Sequence, residues 1–550
     1  MKKIVYKAVF VACLIGLTAC EKTFDELASD PNQQDVNGFY NTPQNINKGV
    51  IGIYAYITTP RAMGTAGRLQ INRGDESSDA SDYGVPGQYS ANLSSSWYTI
   101  VQPYSLFYTA ASQACQMIEE IPKVNFSNQQ LKNAYLGEAY FLRAYTHWFL
   151  FLNFRNIPLM KELPSSAKDY KPQATPEEAW DFIISDLKRA KELLPEKGFW
   201  TGESVGRVTK GSAIALLGKA YLYRSGIEHY YGHSNTTYYN EAAAEFNELI
   251  LSGKYRLVAD YNDNFKVATE NNDESIFELQ FLGDVTNTGF NPGLSNSGVW
   301  RDPRGYLPPT NKNANSSVIH DWVYNTFVNS KDASGHTDPR MFGTLIFDDS
   351  KSEINARTGD EVRIFDNKTF REYYGVKGFG VAKAQAKKYK AACRKGIDWT
   401  LATRNPGDNF YMWNGRANGL NQTEIRYADV LLMYAEAVVK GGTQGSLTAL
   451  DAVNQVRARV GMPAVSSVDM DVIEHERILE LTQEGHRFFD LLRWGKVAQR
   501  FHELERTDPN FKKYSNSAYL GFQENKNEWL PLPVDEVEGN PHITRNNPGW

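Results

Sequence analysis

Cysteine is scarce: four among 550 residues, and two of those lie in the first twenty. No Cys-x-x-Cys, His-Glu-x-x-His or P-loop pattern occurs, which removes a structural zinc site, a zincin centre and a phosphate-cradling nucleotide loop. Beyond the amino terminus no apolar run reaches the roughly 18 residues a spanning helix needs, so a polytopic membrane protein is excluded. Neither sign of charge dominates. Lys and Arg number 59 against 64 Asp and Glu, the net charge is −5 and the pI is about 6.1, which argues against a nucleic-acid binder. What is present is aromatic: 28 Phe, 31 Tyr and 11 Trp need a core or a ligand, so disorder is not the dominant state. The length allows several domains or one large repeat-built domain.

The first residues set the compartment. Lys2, Lys3 and Lys7 form a basic region, and Ala8 to Leu17 is an apolar stretch too short to span a bilayer. It ends in Leu17-Thr18-Ala19-Cys20, small residues directly before a cysteine, and this order resembles the lipobox of bacterial lipoproteins. Residues 1–19 then read as a signal peptide, Cys20 as the lipidated residue and 20–40 as a polar tether; the plainer alternative is a secretory signal with a chance cysteine. Cys115 and Cys393 remain for the body, either as buried free thiols or as a pair.

Helical spacing dominates the rest. Residues 131–153 (LKNAYLGEAYFLRAYTHWFLFLN) are apolar on nearly all faces, the mark of a buried helix. They contain Leu136-Gly137-x-x-Tyr140, and residues 209–225 repeat the pattern as Leu217-Gly218-x-x-Tyr221. Leu-Gly-x-x-Tyr is a first-helix signature of a tetratricopeptide repeat, whose glycine lets a neighbouring helix approach. Each copy has a candidate second helix, at 176–194 after Thr175-Pro176, and around Ala242-x-x-x-Phe246. A third pair spans 424–459, with a turn at Gly441, Gly442 and Gly445. The predicted fold is therefore mainly α: tetratricopeptide-like helix pairs forming a scaffold in a single domain over 41–550. Residues 260–423, rich in Asn, Gly and Pro with short apolar runs such as Ser275–Leu282 and Gly343–Phe347, read as a loop-rich insertion with short helices and a few short strands. Residues 58–100 form a second polar segment.

Four C-terminal stretches carry a family resemblance: 424–438, 450–463, 476–496 and 529–550. The most specific reads Glu476-Arg477, Glu480-Leu481, Glu484-Gly485-x-Arg487, Asp490-Leu491-x-Arg493-Trp494. Together with the lipobox and the helix pairs, these resemble the SusD/RagB family of outer-membrane nutrient-binding lipoproteins across essentially the whole chain. Arg545 before Asn547-Pro548-Gly549, and the final Trp550, depart slightly from the family pattern. The resemblance implies a surface-exposed, non-enzymatic glycan-binding lipoprotein that delivers oligosaccharide to a SusC-like TonB-dependent transporter, with no cofactor and no nucleic-acid partner. Alternatives are a peptide or glycopeptide binder with the same import role, a surface glycoside hydrolase, and a protein-binding adaptor.

Elementary electrostatics makes the specific motif structural. Glu476, Glu480 and Glu484 recur every four residues on one helical face; Arg477, Arg487 and Arg493 can reach carboxylates, and Asp490 can close the network. Gly202-Glu203-Ser204-Val205-Gly206 matches the nucleophile-elbow pattern but lacks the buried strand it needs, so it reads as a polar loop. Asp260-x-Asn262-x-Asn264 starts like a calcium loop, but Phe265 and Asn271 stand where Gly and Glu are required. No metal site is predicted. Asp75, Glu76, Asp79 and Asp82 form an acidic cluster that reads as a solvated loop.

Sugars offer flat C–H faces and rings of hydroxyls, which aromatic planes and Asp, Asn or Arg side chains match. Two loop patches fit that chemistry. One is Asp75, Asp79, Tyr83, Trp97 and Tyr98; the other is Trp300, Arg301 and Tyr306. Trp148 and Trp180 sit on apolar helices and are expected in the core.

Overall fold

The computed structural model describes residues 36–59, 61–78, 89, 93–166, 169–232, 234–281, 318–357, 363, 368–374, 390–396, 398, 419–508, 511 and 521–550. Among them, no helix is long and apolar enough to cross a membrane.

Capping chemistry starts the helices where the sequence places them. Asn128 accepts from the backbone N–H of Leu131 and opens the Gln129–Phe154 helix. Thr175 and Glu178 form a reciprocal capping box ahead of Pro176–Leu193, with Pro176 at its first position. Thr209 and Ser212 open Lys210–Ile227 in the same way. Lys210–Ile227 is buried along its whole length, so it needs neighbours on every side.

Those neighbours form a continuous stack. The Pro43–Ile57 and Tyr98–Glu120 helices pack together, and Tyr98–Glu120 packs on Gln129–Phe154. Next come Pro176–Leu193, Lys210–Ile227, Tyr239–Leu251, Tyr427–Val439 and Ala449–Arg459, each against the one before. All three predicted helix pairs are therefore packed pairs. The two signature glycines do what their pattern requires. A Cβ on Gly137 would meet Leu193 and Leu194, and one on Gly218 would meet the Phe246 ring. Trp180 is fully buried and donates to Glu228 (2.7 Å), whose carboxylate also takes both terminal nitrogens of Arg155. Trp148 packs edge-on to Trp180.

The helix Tyr239–Leu251 meets Tyr427–Val439 directly, so the long insertion between them is looped out of the stack. An antiparallel ladder closes its base: β2 (Ser275–Leu279) pairs with β6 (Gln422–Arg426), from Ser275↔Arg426 to Leu279↔Gln422. A four-stranded sheet, in the order β1-β3-β5-β4, gathers β1 (Ser77–Ser78), β3 (Val318–Ile319), β4 (Leu345–Phe347) and β5 (Ala391–Cys393). Cys115 and Cys393 are both buried and are not joined in a disulfide.

The C-terminal motif is the centre of buried ion-pair clusters. Arg340, Arg426, Arg457, Arg459 and Lys395 face Glu274, Asp338, Glu476, Glu480 and Glu484, five cations against five carboxylates. Glu480 alone engages Arg340 (2.9 Å), Arg426 (2.5 Å) and Arg459, and these guanidinium groups overcome burial to hold its carboxyl well below the usual range. A second cluster joins Lys219, Arg477 and Arg493 to Asp429, Glu436 and Asp490. Glu484 lies past the end of the Met470–Leu481 helix, not on its face. It still reaches the first cluster because the chain turns through Gln483 and Gly485, both in the left-handed region. The partners of the three glutamates come from residues 340–459, a stretch the sequence pattern did not connect to them.

Candidate functional site

β1 and β3 bring the roots of the two predicted ligand segments side by side. Ser77 pairs with Ile319 and Ser78 with Val318, so the chain entering the 79–92 region and the chain leaving the 282–317 region share one ladder. β5 pairs with the other edge of β3. Asp79, Tyr83, Trp300, Arg301 and Tyr306 lie outside the described residues.

Asp75 and Glu76 correct the expectation of a solvated acidic loop and, for Asp75, of a ligand-facing carboxylate. Their exposures are 0% and 2%. The Asp75 carboxylate accepts from Arg487 Nε (2.8 Å) and Nη2 (3.2 Å) and from Arg500 Nε (2.7 Å). Burial pushes that carboxyl up, but Arg487 and Arg500 outweigh it and hold it at about 2. Its backbone oxygen accepts from Trp322 Nε1 (2.6 Å) and hydrogen-bonds the His320 ring (2.7 Å). Glu76 is under the opposite balance: burial first, then the neighbouring Asp75 charge, push it up to about 8. The physical reason is distance in sequence. Arg487 and Arg500 arrive from more than four hundred residues away and turn an exposed-looking acid into a buried structural acceptor.

Trp97 and Tyr98 stand at the start of the Tyr98–Glu120 helix with ring centroids 5.8 Å apart; both are half-buried, and Trp97 leans on the apolar core. Asp75 keeps different company, namely the C-terminal arginines and Trp322.

Trp322 is the aromatic that the sequence reading missed. It is the second residue of the Asp321–Asn329 helix, three positions after the end of β3, half-buried, and lines a pocket of about 360 Å³ with Glu474, Arg487, Lys496, Gln499 and Arg500. Arg500 lies 4.5 Å and Arg487 5.5 Å from the ring centroid, a cation–π arrangement that fixes the ring's plane. Glu474 accepts from Arg487 (2.9 Å) and Lys496 (2.6 Å). Burial raises its carboxyl, and those two cations more than offset it, leaving it below its ordinary value. The pocket offers one aromatic wall and many donors and acceptors, a surface suited to a neutral polar ligand. The available signal was an aromatic at the head of an amphipathic segment, but that segment sat inside a region read as loop.

The discarded motifs behave as loops. Gly202–Ser204 is an exposed single 3₁₀ turn with no strand before it. At the calcium-like loop the Lys266 ammonium sits 3.2 Å from Asp260 and 2.7 Å from Asp263, where a metal would have to be.

Packed helix pairs, with a long insertion whose strands join β1 in one sheet, define a repeat-scaffold protein. The SusD family model matches residues 273–550, and a model described as starch-binding, associating with outer membrane, matches 24–222. The chain belongs to the SusD family. Among similar proteins, the SusD-like protein P2 of Formosa agariphila is 25% identical with 100% of both chains covered. A SusD-like protein of Bacteroides ovatus is 23% identical over 78% of this chain and 72% of its own. A SusD homolog from Bacteroides thetaiotaomicron shares the fold at TM-score 0.72 and 23% identity, covering 95% of this chain and 100% of its own. Surface glycan-binding protein A from the same organism, solved in complex with laminarihexaose, shares it at TM-score 0.68 and 18% identity, over 92% and 100%.

Proposed function

We propose that this protein is an outer-membrane, surface-exposed lipoprotein that captures an oligo- or polysaccharide without cleaving it and passes it to a SusC-like TonB-dependent transporter. Cys20 is the lipidated residue in this reading, with 1–19 removed as a signal peptide, 20–40 as tether and 41–550 as one domain. The leader order and the family description of outer-membrane association support the anchoring; the laminarihexaose-bound relative supports the ligand class.

The observation that carries the reading is the β1–β3 junction beside the Trp322 pocket. The chain entering the 79–92 region, whose sequence carries Tyr83, and the chain leaving the 282–317 region, whose sequence carries Trp300, Arg301 and Tyr306, start and end there, beside Trp322 in a pocket of hydrogen-bonding side chains. Capture without cleavage fits the electrostatics there. A glycosidase general acid needs an accessible carboxyl raised toward neutrality; Glu474, which lines the pocket, is held the other way by Arg487 and Lys496, and Glu76, pushed up to about 8, is buried at 2% exposure.

Calorimetry with laminarihexaose, maltohexaose and peptide mixtures tests this on wild type, Trp97→Ala, Trp300→Ala and Trp322→Ala, with a product assay on each mixture. Loss of a stacking tryptophan costs about 1–3 kcal/mol of binding, or roughly tenfold to a hundredfold in affinity. Shorter sugars released by wild type would replace capture by hydrolysis. Binding confined to peptides would move the cargo to the peptide class, and unchanged affinity in all three variants would remove this face. Cys20→Ala that is still lipid-labelled and displayed would end the anchoring assignment.

A further inference from the structure

A second, smaller site lies against the Met63–Arg73 helix, at Gly67, Gln70 and Ile71. Five carboxamide residues, Gln70, Asn264, Asn421, Gln422 and Gln483, line a niche of about 40 Å³, with Ile71 and Phe265 as apolar lining. By the usual requirement of roughly 10–15 Å³ per water, it has room for about three.

Gln483 is the informative member. It is 4% exposed, yet neither Oε1 nor Nε2 has a hydrogen-bond partner among the described residues. Gln422 Oε1 is also buried and unpartnered, although its Nε2 donates to Glu424 (2.7 Å). Leaving a buried polar atom unmade costs about 1–3 kcal/mol, so three of them in one niche call for an occupant. The backbone is set for the same purpose. Gln483 adopts φ +68°, a conformation that L side chains rarely take, and it is held there by its N–H donating to Glu76 (3.3 Å) and by Gly485 at φ +84°. The charged groups at the rim are already matched, because Lys395 donates to Glu484 at 2.6 Å. The vacant valences are therefore neutral, one donor group beside two acceptors.

We propose that this niche binds a vicinal pair of hydroxyls on a neutral sugar residue, one hydroxyl donating to Gln483 Oε1 while its neighbour accepts from Gln483 Nε2. A diol presents a donor and an acceptor side by side, as the amide does, and the ring's C–H edge meets Ile71 and Phe265. The inference rests on the glycan-binding reading and adds a contact point outside the Trp322 pocket and the two aromatic segments.

Two measurements test it on the full chain. Crystals soaked in glucose read the niche directly; sugar oxygens within hydrogen-bond distance of the Gln483 amide support the site, and ordered waters alone overturn it. Calorimetry with laminarihexaose then compares wild type with Gln483→Met and Gln483→Glu. Methionine keeps the shape and removes the unpartnered polar atoms, so its melting temperature should hold or rise while Kd weakens about tenfold, the worth of one or two lost hydrogen bonds. Weakened binding that merely follows a lowered melting temperature in both variants, or an unchanged Kd in Gln483→Met, overturns the proposal. If wild type binds no oligosaccharide but the soaked niche holds glucose, the capture reading fails and the niche stands; binding by wild type over a water-filled niche does the reverse.

Discussion

The two halves of the helical stack are held by different physics. From Gln129 to Leu251 the seams are mainly apolar and close, with Gly137 against Leu193 and Leu194, Gly218 against Phe246, and Trp148 against Trp180, and their buried ions stand in separate pairs such as Arg143–Asp186 and Arg155–Glu228. From Tyr427 to Arg493 the seams are charged: buried arginines and carboxylates in two balanced clusters, with Lys219 joining them from the first half. An apolar seam tolerates any partner of the right shape. A charged seam tolerates only its own partners, because a buried ion without a counter-ion costs several kcal/mol. The charged half therefore specifies where the insertion closes, since Arg340, Lys395 and Arg426 all come from the insertion or from β6, which closes its base.

The largest break falls on the charged side. Arg426→Ala takes one buried cation from Glu274, Glu480 and Glu484, leaving five carboxylates against four cations in the cluster, and should destabilise by about 3–5 kcal/mol in denaturant unfolding. Arg487→Ala, which leaves Asp75 with Arg500 alone and Glu474 with Lys496 alone, should fall in the same range of about 3–5 kcal/mol; a midpoint within error of wild type for both would reduce the clusters to decoration. The apolar side should break less. Gly218→Val drives a side chain into Phe246 and should cost about 1–3 kcal/mol, the usual penalty of overpacking.

A pH series sharpens the contrast. The folded carboxyl of Glu76 lies near 8, above its ordinary value of 4.5, so in wild type its stability contribution declines as pH rises from about 4.5 to about 8. Glu76→Gln lacks that decline, and its melting-temperature advantage over wild type should grow between pH 5 and pH 8. Asp75 and Glu484 run the other way. Both are held at about 2, so their contribution is present above pH 4 and is lost as pH falls toward 2. A constant difference between Glu76→Gln and wild type across this range would show that Glu76 is ionised when folded. The smallest expected effect is Ser204→Ala, on an exposed turn, within about 0.5 kcal/mol of wild type and with unchanged glycan binding.

The sequence by itself determined whatever depends on local spacing. Helical periodicity, Thr175-Pro176 capping and the two Leu-Gly-x-x-Tyr signatures fixed the helix pairs, and the run from Glu476 to Trp494 fixed the family. What only the tertiary structure decided is what long-range pairing decides. Asp75 looks like a solvated acid until Arg487 and Arg500 reach it. Trp322 looks like one more loop aromatic until β3 sets it beside the C-terminal helices. Gln483 is an unremarkable letter inside the motif until its backbone turns left-handed and buries its amide. In each case the residue's chemistry is written locally, but its electrostatic and hydrogen-bonding environment is supplied by segments hundreds of residues away, and burial is a property of the packed chain alone.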